Sequence, residues 1–174
     1  MAHNLIGCQA PSLTLPDVNG QMVDVPGSGM VNVPTAIFFY PRAGSYGCTK
    51  QACGFRDAVE ENSLFRPDRL RIVGISADAP KKQKRWVEKQ ALNFEVLSDE
   101  AGYARKEYRV GKGLLGLVDA RTTFVVDKHG VIRRDVMDAT LSFQAHVDFV
   151  ESWLERLGRE EGEKSAVPMI SEWL

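Results

Sequence analysis

The sequence has no excess of either charge: 22 Lys plus Arg stand against 23 Asp plus Glu, a net charge of −1. A nucleic-acid partner, whose phosphates demand a basic face, is therefore not expected. The densest basic stretch, Lys81-Lys82-Gln83-Lys84-Arg85, falls early in an amphipathic helix and reads as a solvated face. Long hydrophobic runs are missing too, none reaching the roughly 18 apolar residues that span a bilayer, so no membrane partner is expected. The start, Met1-Ala2-His3-Asn4, shows no secretory signal. Cysteine is scarce, and an odd count of three does not make the framework of a disulfide-stapled secreted domain. A reducing compartment suits such thiols, and the expectation is cytoplasmic, with the nucleus also open to the chain. His3, His129 and His146 are scattered, and Cys-x4-Cys lacks the second close pair of a zinc site, so neither a metal nor a cofactor is expected. His129 reads as a turn residue and His146 as lying on the polar side of its helix.

What is present is the composition of a soluble globular protein, 44% apolar and 26% charged over 174 residues, which argues against disorder and fits one domain. Leu13 to Val25 reads as extended pieces around Asn19-Gly20, a hairpin turn. Val33 to Tyr40 is a nearly continuous apolar run, as in a strand buried on both faces, and Pro41 ends it. Helical spacing follows over Cys48 to Asn62, a buried strand over Leu70 to Ser76, and a helix over Ala79 to Leu92 with Pro80 in its first turn. Phe94 to Leu97 and Thr122 to Asp127 are strand-like, Gly102 to Tyr108 is a short helix, and Lys128-His129-Gly130 turns the chain into a hairpin with Val131 to Met137. Ser142, placed as a cap, opens an amphipathic helix to Leu157. The pattern predicts an α/β fold, a central mixed sheet flanked by helices with an N-terminal β-hairpin. The domain is expected over 1–158, with 159–174 a charged, then apolar tail that either folds back over it or offers a docking patch to a partner.

The informative stretch runs from Tyr40 to Asp57, where a buried strand empties into a Gly-rich loop and Cys48 opens a helix. Unpaired amides and the positive end of the macrodipole favour an anion there, so the thiol is expected to ionise readily, and the thiolate is the nucleophile. Cys53 lies five residues on, with its Cα about 8 to 9 Å away in an ideal helix and pointing elsewhere. A disulfide tolerates at most about 7 Å, so this pair bonds only after local unwinding. Such a pair suits a cycle: a hydroperoxide oxidises Cys48 to a sulfenic acid, Cys53 closes a disulfide, and an external dithiol restores both thiols. Ser45 offers a hydroxyl, and Gly44 and Gly47 let amides approach the peroxide. Arg42, Arg56 and Arg121 are all candidate cationic partners of the thiolate, and spacing does not choose among them. Gln51 and Trp86 read as packing residues or as supports behind the site residues, and Cys8, outside every motif, as inert.

The stretch Pro41-Arg42-Ala43-Gly44-Ser45-Tyr46-Gly47-Cys48 resembles the peroxiredoxin active-site pattern of Pro, three residues, Thr or Ser, two residues, Cys. Its look is that of the bacterioferritin-comigratory or Q-type branch of the AhpC/TSA superfamily, in which a resolving cysteine sits five positions after the peroxidatic one, as Cys53 does here. The resemblance continues through Val73 to Asp78, Leu92 to Glu100 and Arg121 to Asp127. It implies a thioredoxin-like fold and a thioredoxin-dependent peroxidase acting on hydrogen peroxide and organic hydroperoxides, recycled by thioredoxin or a similar dithiol, as a monomer or weak homodimer. It also implies that Pro41 shields the thiolate, Ser45 hydrogen-bonds peroxide, and Arg121 stabilises thiolate and transition state. Tyr46, where the branch usually has Pro, and Ser45, where Thr is commoner, depart from the pattern without removing a required group. Two rivals remain beside this reading. A general disulfide oxidoreductase wants Cys-x-x-Cys, and a redox-responsive binding protein would oxidise once per thiol rather than turn over.

Overall fold

The structure, a computed structural model, describes residues 5–26, 32–113, 118–138 and 143–166, with the backbone alone at 113, 118, 135–138 and 163–166. Strands β1 (Leu13–Pro16) and β2 (Met22–Val25) form the expected antiparallel hairpin. Asp17 Oδ1 accepts from the amides of Asn19 and Gln21, and Gly20 takes the positive φ of 81° that closes the turn.

The main sheet has five strands in the order β5-β4-β3-β8-β9. Its members are β3 (Thr35–Phe39), β4 (Arg71–Ser76), β5 (Glu95–Ser98), β8 (Arg121–Val126) and β9 (Ile132–Asp138). The first three run parallel, while β8 is antiparallel to both β3 and β9, so the sheet is mixed. A two-stranded pair, β6 (Lys112–Gly113) with β7 (Val118–Asp119), was not legible in the sequence.

Strand β3 lies at the centre and is buried along its whole length, as its apolar run predicts. Its alternating side chains feed two cores. Ala36, Phe38 and the following Tyr40 pack with helices α1 (Tyr46–Glu61), α2 (Pro80–Gln90) and α4 (Phe143–Ala166). Ile37 and Phe39 face the opposite way, toward the hairpin and α3 (Tyr103–Glu107). Phe38 stacks on Phe55 with centroids 4.9 Å apart, which docks α1 on the sheet.

Three expectations need correction. Helix α1 begins at Tyr46, so Cys48 is its third residue rather than its first, because the extended residue is Ser45 at φ −71° and ψ 155°. Helix α4 runs to Ala166, not Leu157, and carries Gly158 and Gly162 within it. Its far end is tied down by Arg133 to Glu160 at 2.7 Å and Lys128 to Glu161 at 2.8 Å, both reaching from the β8–β9 hairpin. His146 is fully buried, not on a polar side, because α4 packs against both α1 and β8 and brings Nδ1 to 2.8 Å from Thr123 Oγ1. The cap assigned to Ser142 and the tail beyond Ala166 lie outside the described residues.

Candidate active site

The parallel neighbours β3 and β4 end side by side, and their ends shape the loop that carries the nucleophile. Ser76, the last residue of β4, donates to Asp78 Oδ2 at 3.1 Å, and the same oxygen accepts the Ala43 amide at 2.5 Å. Lys82 supplies a cationic partner to the other Asp78 oxygen. One carboxylate therefore pins the loop 41–45 to the neighbouring strand. Gly44 turns the chain at φ 83°, and Ser45 Oγ donates back to the Arg42 carbonyl at 3.0 Å, leaving the helix start uncapped by a side chain. The Thr49 amide to the Ser45 carbonyl, 2.9 Å, is the first bond of the ladder. The amides of Gly47 and Cys48 thus precede it, at the positive end of α1.

Register brings the cation. Phe39 pairs with Thr122, so Arg121 lies one step beyond, beside the exit of β3 and on the face that Thr123 and Phe38 share with the helices. Its Nη2 is 3.4 Å from Cys48 Sγ, and its Nη1 donates to Gln51 Oε1, one turn along α1 from the cysteine. The Phe143 ring covers the guanidinium at 5.1 Å, a cation-π contact. Gly47 is required for this approach, since a Cβ there would stand 2.5 Å from the Phe143 ring and 3.3 Å from Arg121 Nη2. Cys48 is 1% exposed, deeper than a substrate-facing thiol is expected to lie. Burial holds the adjoining Tyr40 hydroxyl protonated well above the usual phenol range.

Cys53 points elsewhere. It is half-buried on the side of α1 that meets α2, with Sγ 3.7 Å from Gln90 Oε1. The two thiols are unbridged, and helix α1 is continuous between them. A cavity of about 290 Å³ bordered by Val33, Pro34, Leu154 and Leu157 lies at the other end of β3 and touches none of these residues.

The AhpC/TSA family matches residues 6–135, three quarters of the chain. The chain belongs to the AhpC/TSA family. A chloroplastic peroxiredoxin Q of Populus jackii is 36% identical over 151 residues, 87% of this chain and 68% of that one. Another, of Sedum lineare, is also 36% identical, over 87% of this chain and 78% of its own. Among solved structures, peroxidoxin BcpB from Mycobacterium tuberculosis superposes with a TM-score of 0.75 at 33% identity, covering 87% of this chain and 96% of that one. The fold is thioredoxin-like, as the resemblance implied. The chain is a peroxiredoxin of the Q type, a cysteine-based thiol peroxidase, and peroxiredoxins act on hydroperoxides with thioredoxin-type reductants.

Of the residues singled out in this peroxiredoxin's sequence, the structure brings Cys48 and Arg121 together across 73 positions, with Ser45 three residues before the thiol. Pro41 leads the loop directly from the buried strand end and is half-buried. Cys53 is not brought to Cys48. Arg42 is exposed, and Arg56 contacts α2. Gln51 and Phe143 were missed as partners of Arg121. For Gln51 the signal existed, since it falls three residues after Cys48 on one helical face. Phe143 has no local signal, because only the return of α4 places it there. Trp86, read as packing, also donates from Nε1 to Thr49 Oγ1 at 3.1 Å. Among the described residues no three His, Cys, Asp or Glu side chains converge as a metal site, and no helix is long and apolar enough to cross a membrane.

Proposed function

We propose that Cys48 is the atom this peroxidase offers to hydroperoxides and that Cys53 resolves the product within the same chain. The Cys48 sulfur, as thiolate, attacks the terminal peroxide oxygen; the O–O bond breaks, a Cys48 sulfenic acid keeps the hydroperoxide proton, and the departing alkoxide or hydroxide takes up the proton that the thiol released on ionising and leaves as alcohol or water. Cys53 then attacks the sulfenic sulfur, expelling water and forming the Cys48–Cys53 disulfide. Thioredoxin or a similar dithiol restores both thiols by exchange.

One observation carries this reading: the Arg121 guanidinium stands 3.4 Å from Sγ at the amino end of a helix, where cationic and amide dipoles converge on one sulfur. Gln51 and Phe143 hold that guanidinium, Pro41 screens the loop, and the Ser45 hydroxyl lies near enough in sequence to turn toward peroxide. The physiological role is antioxidant defence and redox homeostasis, acting as a monomer or weak homodimer. Thiols that must be re-reduced each turn fit a reducing compartment, the cytoplasm, although the Populus jackii and Sedum lineare relatives are chloroplastic. The test is peroxide-dependent turnover with a purified dithiol donor. The expected result is many equivalents of peroxide consumed per chain. Consumption of one equivalent per thiol, and no more, would make the protein a sensor instead.

A further inference from the structure

Cys53 belongs to a row of contacts that the chemistry at Cys48 leaves unused. Thr49, Cys53 and Arg56 recur at four and three residues, one stripe of α1, and they face Trp86, Gln90 and Asn93 at the end of α2 and just past it. Gln90 is the hub. Its side-chain oxygen stands 3.7 Å from Cys53 Sγ, and its main-chain oxygen accepts Arg56 Nη1 at 2.7 Å. Asn93 Nδ2 adds a bond to the Arg56 carbonyl at 3.2 Å.

The Gln90 carbonyl belongs to the last turn of α2, where the ladder runs out because Ala91 turns left-handed at φ 49°. Arg56 therefore caps the negative end of α2, the place where a cation is favoured. Asp57 orients the guanidinium from the other side, 2.8 Å from Nε and 2.7 Å from Nη2.

The geometry points to a latch: Arg56, through the Gln90 carbonyl, holds α1 closed around Cys53 and sets how fast this thiol reaches an oxidised Cys48. The latch rests on the reading of Cys53 as the resolving thiol. A sulfenic acid at Cys48 has two fates. Attack by Cys53 forms the S–S bond, breaks the S–O bond and releases water. Attack on a second hydroperoxide by the sulfenic sulfur breaks another O–O bond, releases an alcohol or water, and leaves a sulfinic acid. The first needs α1 to open and the second does not, so the strength of the latch decides the balance between them.

The test follows wild type, Arg56→Ala and Gln90→Ala after rapid mixing with hydrogen peroxide, with the rate of sulfenic acid formation as the internal reference. Disulfide formation in Arg56→Ala is expected to be faster by about fivefold, the factor one hydrogen bond of ordinary net strength represents. The peroxide concentration that converts half of Cys48 to sulfinic acid, read by mass, rises by the same factor. Gln90→Ala keeps the main-chain acceptor for Arg56 and removes only the weak thiol acceptor, so its increase is smaller, about twofold. It also guards against misfolding of Arg56→Ala, since it leaves the cap of α2 in place. Wild-type disulfide rates and sulfinic thresholds in both variants, or a slower disulfide in Arg56→Ala, would overturn the latch. Cys53→Ser separates the two readings. If it forms the same disulfide-linked product as wild type, Cys53 is not the resolving thiol and the latch falls with it. If it stalls at the sulfenic acid, only the latch is judged by Arg56 and Gln90.

Discussion

Two cysteines five residues apart on one helix live in different chemistry. Cys48 is buried against the sheet and α4, with a guanidinium on its sulfur, whereas Cys53 is half-buried against α2 with an amide oxygen for company. Five residues turn an ideal helix by about 500°, which puts the two thiols about 140° apart around its axis. The same helix that delivers one sulfur to the cation therefore keeps the other away from it. Separation, not proximity, is what the folded state provides, and the proposed disulfide step would have to undo it.

The comparison breaks most completely at the thiols themselves. Cys48→Ser is expected to abolish peroxide turnover, while Cys53→Ser still forms one sulfenic acid and then stops with thioredoxin, both followed by dithiol-coupled peroxide consumption. Next comes the cation. Arg121→Ala removes a charged donor from the sulfur, and kcat/KM for peroxide is expected to fall by about 10- to 100-fold, the range of a hydrogen bond to a charged group. Full activity in this variant would detach Arg121 from the chemistry.

Smaller effects sharpen the contrast. Gln51→Ala deletes the acceptor that holds Arg121, and about a fivefold fall in kcat/KM is expected with the first oxidation slowed and the Cys53 step unaltered. Gly47→Ala forces the Phe143 ring aside. Because that ring is the outer end of a half-buried side chain, the expected cost in unfolding free energy is about 1 kcal/mol or less, with a larger loss of rate than of stability.

Smallest is an effect on stability at Asp119, two residues before Arg121 and paired with Arg105 and Lys112. Burial pushes the Asp119 carboxyl up, but a hydrogen bond from Lys112 at 2.5 Å and the Arg105 cation outweigh it and hold the group below its ordinary range. A carboxyl depressed in the folded state stabilises above its unfolded value and loses that contribution as pH falls through the folded one. Denaturant titration should thus find Asp119→Asn less stable than wild type at neutral pH, the gap closing in acid.

Much of this was legible in the sequence, because the informative signals are local. Val33 to Tyr40 reads as a central strand from its unbroken apolar run, Asn19-Gly20 as a turn, and the stretch after Cys48 as a helix from its spacing. Arg121 was different: three arginines fitted equally well, and only family resemblance chose among them before the register of β8 against β3 placed one at the sulfur. Phe143, Gln90 and the burial of His146 stayed hidden because each depends on where a distant helix lands. The extension of α4 past Gly158 was missed for a related reason, since glycine lowers local helix preference and the ion pairs that offset it come from another part of the chain.

The most direct test of the central claim is peptide mapping without reductant after one equivalent of peroxide, on wild type and on Cys53→Ser. Wild type is expected to lose two hydrogen atoms in a peptide linking Cys48 to Cys53, and Cys53→Ser to gain one oxygen on Cys48. Oxidation found first on Cys53 or Cys8, with Cys48 still a thiol, would contradict it.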